Sequence, residues 1–441
     1  MPTSSPTRHY VRDDRLGLGY SSARFIVTVL LITSIIIPAA LMSIKACLWI
    51  FIVFIVSGGM LTGRIPLSSR LYFVSCIYAS VGLLWSFYGE MRDTPGALHV
   101  ITVMVLYPLF FPLCAALFRA EDTLYLYKLF FVCAWIIVVI DVVYVLGSWT
   151  YLGGLLHTIF GYIYANAIST VVIDNSNAIK FNLMNIVSII FLLPFFISAL
   201  LFPRSRRSAL VLTPLVLLLL AVAILSGRRA LLLTMVLGPA IAFIVTYRRH
   251  PRLEKRKGSR RWWIPLAVIL VALLWLYVAA NLVGIRYYEG VISSIFDFTE
   301  NQSNLIRVYQ YRSLIDGIFN APFLGHGAGA AASYISSYKW PWMYELYYIA
   351  FIFQYGIVGF FIYALGIAYL CWQLICSVRQ NGRASFEYYL LSGFIAFMIA
   401  NATNPYLSTF DYMWIIFIPY AIANRQLFRS RRILLGPSSR P

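Results

Sequence analysis

Charge is what this sequence of 441 residues has least of. Only 12% of its residues are charged, about half of what the surface of a soluble domain requires. Acidic residues are scarcer still, at 16 against 35 basic ones. Cysteine is also sparse. Cys47, Cys76, Cys114, Cys133, Cys371 and Cys376 all lie in or beside apolar segments, and none forms a C-x-x-C. That excludes a disulfide framework and a thiolate metal site, leaving small buried hydrophobes. No D-x-D occurs, and Glu121-Asp122 is the only adjacent acidic pair near a helix entrance. The net charge of +19 comes with no recognition fold, so nucleic-acid binding has no support.

What is abundant is apolar. Hydrophobic residues make up 61% of the chain and aromatic ones 17%. Apolar runs of about 17–25 residues recur, each long enough to cross a bilayer as a helix, the form that leaves no lipid-facing backbone group unpaired. The sequence predicts an all-α polytopic membrane protein and twelve spans: 25–42, 46–63, 71–88, 97–118, 124–147, 181–202, 208–226, 229–247, 262–284, 346–375, 385–403 and 410–428. Residues 1–441 read as a single integral membrane domain with tails at 1–24 and 429–441. No cleavable signal is evident, because a polar N-terminus runs straight into a full-length span. Lysine and arginine asymmetry puts both termini in the cytoplasm. The densest basic cluster, YRRHPRLEKRKGSRR at 247–261, then falls inside, against anionic lipid.

A few cations are left outside, and two stand together. Arg228 and Arg229 sit at the tight outer hairpin between the seventh and eighth spans, within ILSGRRALLL (224–233). An ionisable group there is costly unless it meets a counter-charge or lines a wet cavity. One reading is a snorkelling pair at headgroup level. A second is the G-R-R loop of major-facilitator transporters, which wants an aspartate where Ile224 stands and a cytoplasmic loop. The preferred reading is an anion site, since guanidinium presents a rigid fork of donors that fits phosphate. Asp141, inside the fifth span, is a candidate counter-charge for Arg228 or a proton site.

The outer loops carry more. Segment 148–180 is aromatic, nearly uncharged, and expected to lie along the membrane surface. The loop 285–345 is far longer than a connection needs. Within it, 304–319 reads as a helix capped by Ser303 or Asn304. Arg307 and Tyr311 share one face, while Arg312 has Asp316 one turn on for an ordinary ion pair. Arg307 therefore ranks above Arg312 as a ligand-binding residue, and Arg286, with Glu289 nearby, ranks lowest. Next, NAPFLGHGAGAA (320–331) has three glycines that permit close backbone approach. His326 reads as a proton carrier or a hydrogen-bonded structural histidine. Tyr344 and Glu345 stand at the outer lip of the tenth span. Glu345 is the candidate general base, its proton affinity expected to rise with desolvation, or the ion-pair partner of a site arginine. Asn404 and Asp411, at the outer ends of the last two spans, are candidates for lining an acceptor cavity or a proline turn.

Taken in order, an arginine hairpin, a large outer loop with R-x-x-x-aromatic (307–311), P-x-L-G-x-G (322–327) and Y-G-I-V-G (355–359) resemble the O-antigen ligase and O-antigen polymerase superfamily, over roughly residues 205–425. The resemblance implies a GT-C-like helical fold and a membrane-embedded, inverting, metal-independent glycosyltransferase that needs no cofactor. Its donor and acceptor would be glycans on undecaprenyl pyrophosphate at the outer face of a bacterial inner membrane, with a chain-length regulator protein as a possible partner. Arg228 or Arg229 would match the family's hairpin arginine and Arg307 its loop arginine, both holding pyrophosphate, with Arg312 as a further pyrophosphate candidate. Arg228, Arg307, Glu345 and His326 are thus the catalytic candidates, and Tyr311, Tyr344 and Asp141 flank the cavity. Family ligases often carry histidine and asparagine where Tyr344 and Glu345 stand, which favours a polymerase. The other function class is a lipid-linked sugar flippase or transporter. A transporter should show repeat symmetry and polar groups at midplane, whereas here no clear repeat is seen and the polar groups gather at the outer face.

Overall fold

The computed structural model of the chain describes residues 18–38, 41–61, 67–118, 122–149, 170–173, 179–182, 185–226, 228–247, 302–335, 337–409 and 412–435. Helices α1 (Leu18–Ile36), α2 (Met42–Leu61) and α3 (Ser69–Glu90) come first. Helix α4 (Ala97–Ile101) passes through a π-helical turn, Thr102–Leu106, into α5 (Tyr107–Ala116), and α6 (Asp122–Trp149) follows. Then come α7 (Ile186–Leu201), α8 (Arg206–Leu225), α9 (Arg229–Thr246), α10 (Gln302–Asn320), α11 (Tyr347–Asn381), α12 (Phe386–Asn401) and α13 (Trp414–Leu435). A helix lies on eleven of the twelve expected stretches; the ninth, 262–284, is outside the described residues. Among the described residues five helices are long and apolar enough to cross a membrane, over 42–59, 69–90, 122–144, 206–225 and 347–381. Five more apolar helices are shorter. The chain is a helical membrane protein.

One element departs from the all-α expectation. Strands β1 (Thr170–Ile173) and β2 (Ile179–Asn182) pair antiparallel, from Thr170 opposite Asn182 to Ile173 opposite Ile179. The run Thr-Val-Val-Ile is β-branched throughout, which favours a pleated strand over a surface helix. The sixth stretch correspondingly starts its helix at Ile186 rather than 181. Helix α10 starts at Gln302, so Ser303 and Asn304 are in its first turn and neither is its cap.

The core centres on α7, which is buried on all sides and packs against α8, α9 and α12. A helix apolar all round belongs at such a centre. Its aromatics interlock with neighbours: Phe191 meets Trp414 at 4.9 Å and Phe195 meets Phe130 at 5.4 Å, both edge-on. Aromatic pairs prefer this arrangement. The outward faces are apolar too. Phe25, Phe54, Leu84, Ile244 and Leu365 are each more than 60% exposed, as lipid-facing side chains must be.

Helix α11 is 35 residues long and is broken at Gly356, where φ is 65° and ψ is −179°. Such a break frees backbone groups that a continuous helix would pair, and at membrane depth they need other partners. The loop after α10 supplies them. Ile357 and Val358 donate their N–H groups to the carbonyls of Pro322 and Phe323, at 2.9 and 3.2 Å. In return His326 and Gly327 donate to the carbonyls of Phe353 and Gln354, at 2.9 and 3.0 Å. The same loop is tied to the end of α3. Ala328 donates to the Trp85 carbonyl, the Trp85 indole to the Leu324 carbonyl, and Thr94 Oγ1 to the Ala328 carbonyl. Residues 321–330 therefore form a bracket that holds the start of α11 and the end of α3 in one frame.

Candidate active site

The hairpin between α8 and α9 has almost no loop. Ser226 closes α8, its hydroxyl donating to the Ala223 carbonyl at 2.7 Å. Arg228, extended at φ −82° and ψ 106°, is the N-cap residue of α9. Its carbonyl accepts from the N–H groups of Leu231 and Leu232. The backbone is thus fixed, and the guanidinium reaches sideways: Nη1 donates to the Tyr406 hydroxyl at 3.3 Å.

Tyr406 starts a short 3₁₀ turn, Tyr406–Ser408, after α12. The turn is set by Asn401, whose Oδ1 accepts from the Leu407 N–H at 3.0 Å, and by the Asn404 carbonyl, which accepts from the Tyr406 N–H at 2.9 Å. Its ring packs between Phe397 and Tyr412 and is only 8% exposed. Burial raises its pKa above the ordinary tyrosine value. Arg228, by charge and hydrogen bond, and Arg307 oppose that shift, while Glu345 adds to it. One hydroxyl therefore lies in the fields of two guanidiniums and a carboxylate.

Those two further groups come from α10 and the lip of α11. Arg307 Nε donates to Glu345 Oε2 at 2.6 Å. One turn along α10, the buried Gln310 accepts the Glu345 N–H on its Oε1 at 3.0 Å. The Gln310 Nε2 is buried with no hydrogen-bond partner among the described residues. Glu345 is thus held by α10 at both backbone and side chain. The ion pair itself is about one-third exposed, at 33% and 37%. A pair that open to solvent holds by only about 0–1 kcal/mol.

The structure thus brings Arg228, Arg307 and Glu345 together. Arg229 opens α9, but its side chain is outside the described residues, as is all of Asp411. Tyr311, Arg312 and Asp316 are exposed along α10, and no ion pair joins Arg312 to Asp316. His326 is engaged structurally: Nε2 meets the Gly317 carbonyl at 2.8 Å and the ring stacks on Phe353 at 4.5 Å. Tyr344 is buried, accepts the Ala332 N–H at 2.6 Å, and has its pKa raised by burial. Asn404 shapes the turn, its amide donating to Thr403 Oγ1 at 3.4 Å.

Asp141 is not the counter-charge of Arg228. It is buried, and its Oδ1 accepts from Asn185 Nδ2 at 2.8 Å. An amide satisfies one carboxyl oxygen without a cation, and Arg228 turns to Tyr406 instead. Two site residues went unread in the sequence, Tyr406 and Gln310. Gln310 lies three residues after Arg307, hence on its face of the helix. Tyr406 directly follows the Asn-Ala-Thr-Asn-Pro turn.

Among the described residues no group of three or more His, Cys, Asp or Glu side chains is gathered as a metal ion would need. Comparison with curated proteins gives no match. A family model described as O-antigen ligase matches residues 214–364, a stretch that holds Arg228, Arg307 and Glu345 and ends before Tyr406. Over that part of the chain, which builds the polar cluster, the protein is similar to the O-antigen ligase family.

Proposed function

We propose that the protein is a membrane-embedded, inverting glycosyltransferase that polymerises oligosaccharide repeat units carried on undecaprenyl pyrophosphate, at the outer leaflet of a bacterial inner membrane. The observation that carries this is a polar cluster in which Arg228 donates to the Tyr406 hydroxyl and the Arg307–Glu345 ion pair lies near enough to act on that hydroxyl by charge. In the reaction the bond from the anomeric carbon to pyrophosphate oxygen breaks, and a bond from an acceptor hydroxyl oxygen to that carbon forms. Negative charge grows on the departing diphosphate. Arg228 and Arg307, anchored on two different helices, are preorganised to stabilise it. Glu345 accepts the proton that the acceptor hydroxyl gives up. Released from Arg307 by the incoming diphosphate, its carboxylate becomes free for that proton. Tyr406 keeps Arg228 aimed and offers a hydroxyl to the leaving group. The arginines do the work that a divalent cation does in metal-dependent transferases, so the reaction runs without a metal. The partners are the lipid-linked donor and acceptor, surrounding lipid, and a chain-length regulator protein.

Transfer of a finished glycan to a lipid acceptor is the second reading, favoured by the description of the matching family as O-antigen ligase. The site chemistry is shared; only the acceptor differs. The test is incubation of the pure protein with a lipid-linked repeat unit and gel analysis. A ladder of products is expected, unchanged by chelator and lost in Arg228→Ala, Arg307→Ala and Glu345→Gln. Wild-type polymer length and rate in Glu345→Gln would remove the base, and loss with chelator would remove the metal-free mechanism. In cells lacking the protein, single lipid-linked units accumulating outside point to polymerisation. Full-length chains that miss their final lipid point to ligation, and units trapped inside to flipping.

A further inference from the structure

A cavity of about 560 Å³ opens beside the polar cluster, within the size range of small-ligand pockets. Its wall includes Tyr344 and Pro405, the chain neighbours of Glu345 and Tyr406. The cavity wall thus lies one residue along the chain from Glu345 and from Tyr406. Among the described residues no lysine, arginine, aspartate or glutamate lines it, which argues against a diphosphate inside.

Three flat rings meet at one corner of an aromatic-rich wall. His99 lies 5.3 Å from both Trp340 and Trp342, and the two indoles are 5.6 Å apart and nearly perpendicular. This corner is rigid. The Trp342 ring lies against Gly96, where a Cβ would come within 2.4 Å of it. The Trp342 carbonyl accepts from Gln354 Nε2 at 3.0 Å, and that amide also binds the Ala330 carbonyl at 3.1 Å. Thr102, Ser408 and Thr409 add small hydroxyls to a lining that is otherwise mostly aromatic and aliphatic.

Angled aromatic faces edged by hydroxyls suit a sugar ring. A pyranose presents apolar C–H faces to stack on indole and equatorial hydroxyls to hydrogen-bond at the edges. A polyprenyl chain has no use for the hydroxyls. We infer that this cavity is a saccharide subsite, which seats sugar rings of the acceptor glycan and delivers one of its hydroxyls to Glu345. The inference rests on the glycosyl-transfer reading and names its acceptor side. Nucleophile and leaving group must approach opposite faces of the anomeric carbon in an inverting transfer. The cation-free cavity then takes the nucleophile's glycan, and the arginines take the donor's diphosphate.

The probe is the oligosaccharide released by mild acid from the cell's own lipid-linked repeat units, added to the full-length protein in detergent. Calorimetry should show binding to the wild type, at least tenfold weaker in Trp342→Ala and in Trp340→Ala, and largely kept in Trp340→Phe. In turnover the alanine variants should raise KM for acceptor and leave kcat within a few fold. Trp340 is 36% exposed, so its variant decides the matter if Trp342→Ala does not fold, as judged by thermal melting. Absence of oligosaccharide binding, binding indifferent to both indoles, or displacement of the probe by sugar-free polyprenyl phosphate would overturn the subsite. Ladder synthesis by the wild type together with indole-independent binding sinks the subsite and leaves the polymerase standing. Indole-dependent binding by a protein that makes neither ladders nor ligated product sinks the transferase reading alone.

Discussion

Tyr406 is the residue on which the polar cluster turns, because Arg228 reaches it directly and Arg307 and Glu345 act on it through space. Tyr406→Phe keeps the ring between Phe397 and Tyr412 and removes only the hydroxyl. Loss of one hydrogen bond to a charged group corresponds to about 1.5–3 kcal/mol, so the melting temperature in detergent should fall modestly and kcat/KM roughly ten- to a hundredfold. The pH dependence has a definite sign. The folded pKa of Tyr406 is raised above 10.0, so the phenol stays neutral throughout the working range. Its contribution to stability is intact below pH 10 and is lost only as pH rises through the folded value. The pH–rate profile of Tyr406→Phe should therefore be lower than that of the wild type and identical in shape from pH 6 to 9; a limb that disappears in the variant would contradict this. Arg228, Arg307 and Glu345 were legible in sequence because a charge amid apolar residues is expensive and demands a reason. Tyr406 was not, being one of 31 tyrosines with no cost attached to its position. Asp141 misled by the same logic. An intramembrane carboxyl did require a partner, but that partner is the Asn185 amide, 44 residues away, which no charge pattern reveals.

At the scale of elements, the glycines of 320–331 and the broken helix α11 form one device. Gly325, Gly327, Gly329 and Gly356 all have positive φ, between 65° and 97°. A Cβ on Gly356 would stand 2.1 Å from the Phe323 carbonyl oxygen, and one on Gly325 would stand 2.5 Å from that of Gln354. Both atoms belong to backbone that is already hydrogen-bonded across the contact, so neither can step aside. Backbone strain alone costs about 1–3 kcal/mol per position, and the clash adds to it. Gly356→Ala should lower the melting temperature in detergent and depress activity as well, since the bracket aims the lip that carries Glu345. Melting and turnover indistinguishable from wild type would show that the break is not held by this contact. The sequence shows that the glycine run permits close backbone approach. It does not show the other half of the contact, because hydropathy sees 346–375 as one apolar stretch and is blind to a φ of 65° within it. The ribbon of 170–173 and 179–182 was missed for a related reason: a membrane-surface expectation overrode a β-branched run.

For the whole molecule, the helices were the easiest feature to read, since a bilayer demands long apolar runs and hydropathy measures them directly. Sidedness is harder, because it rests on where basic residues fall and not on any contact within the fold. The structure makes it testable through one helix. Arg228, Tyr406, Arg307 and Glu345 are joined at the end of the molecule where α11 begins, so the side on which that end lies is the side of the chemistry. Helix α11 runs for 35 residues, about 50 Å at 1.5 Å per residue, well beyond a hydrocarbon core of about 30 Å even with its break. Its two ends must then meet opposite solutions. Tyr338, 96% exposed before the helix, and Gln380, exposed near its end, are suitable reporters. In a version lacking the natural cysteines, Tyr338→Cys should react with a membrane-impermeant maleimide on intact spheroplasts, and Gln380→Cys only after permeabilisation. A diphosphate donor presented at the outer leaflet requires this order of labelling. The reverse order would put the arginines on the cytoplasmic side, where the polymerase and the ligase readings both fail.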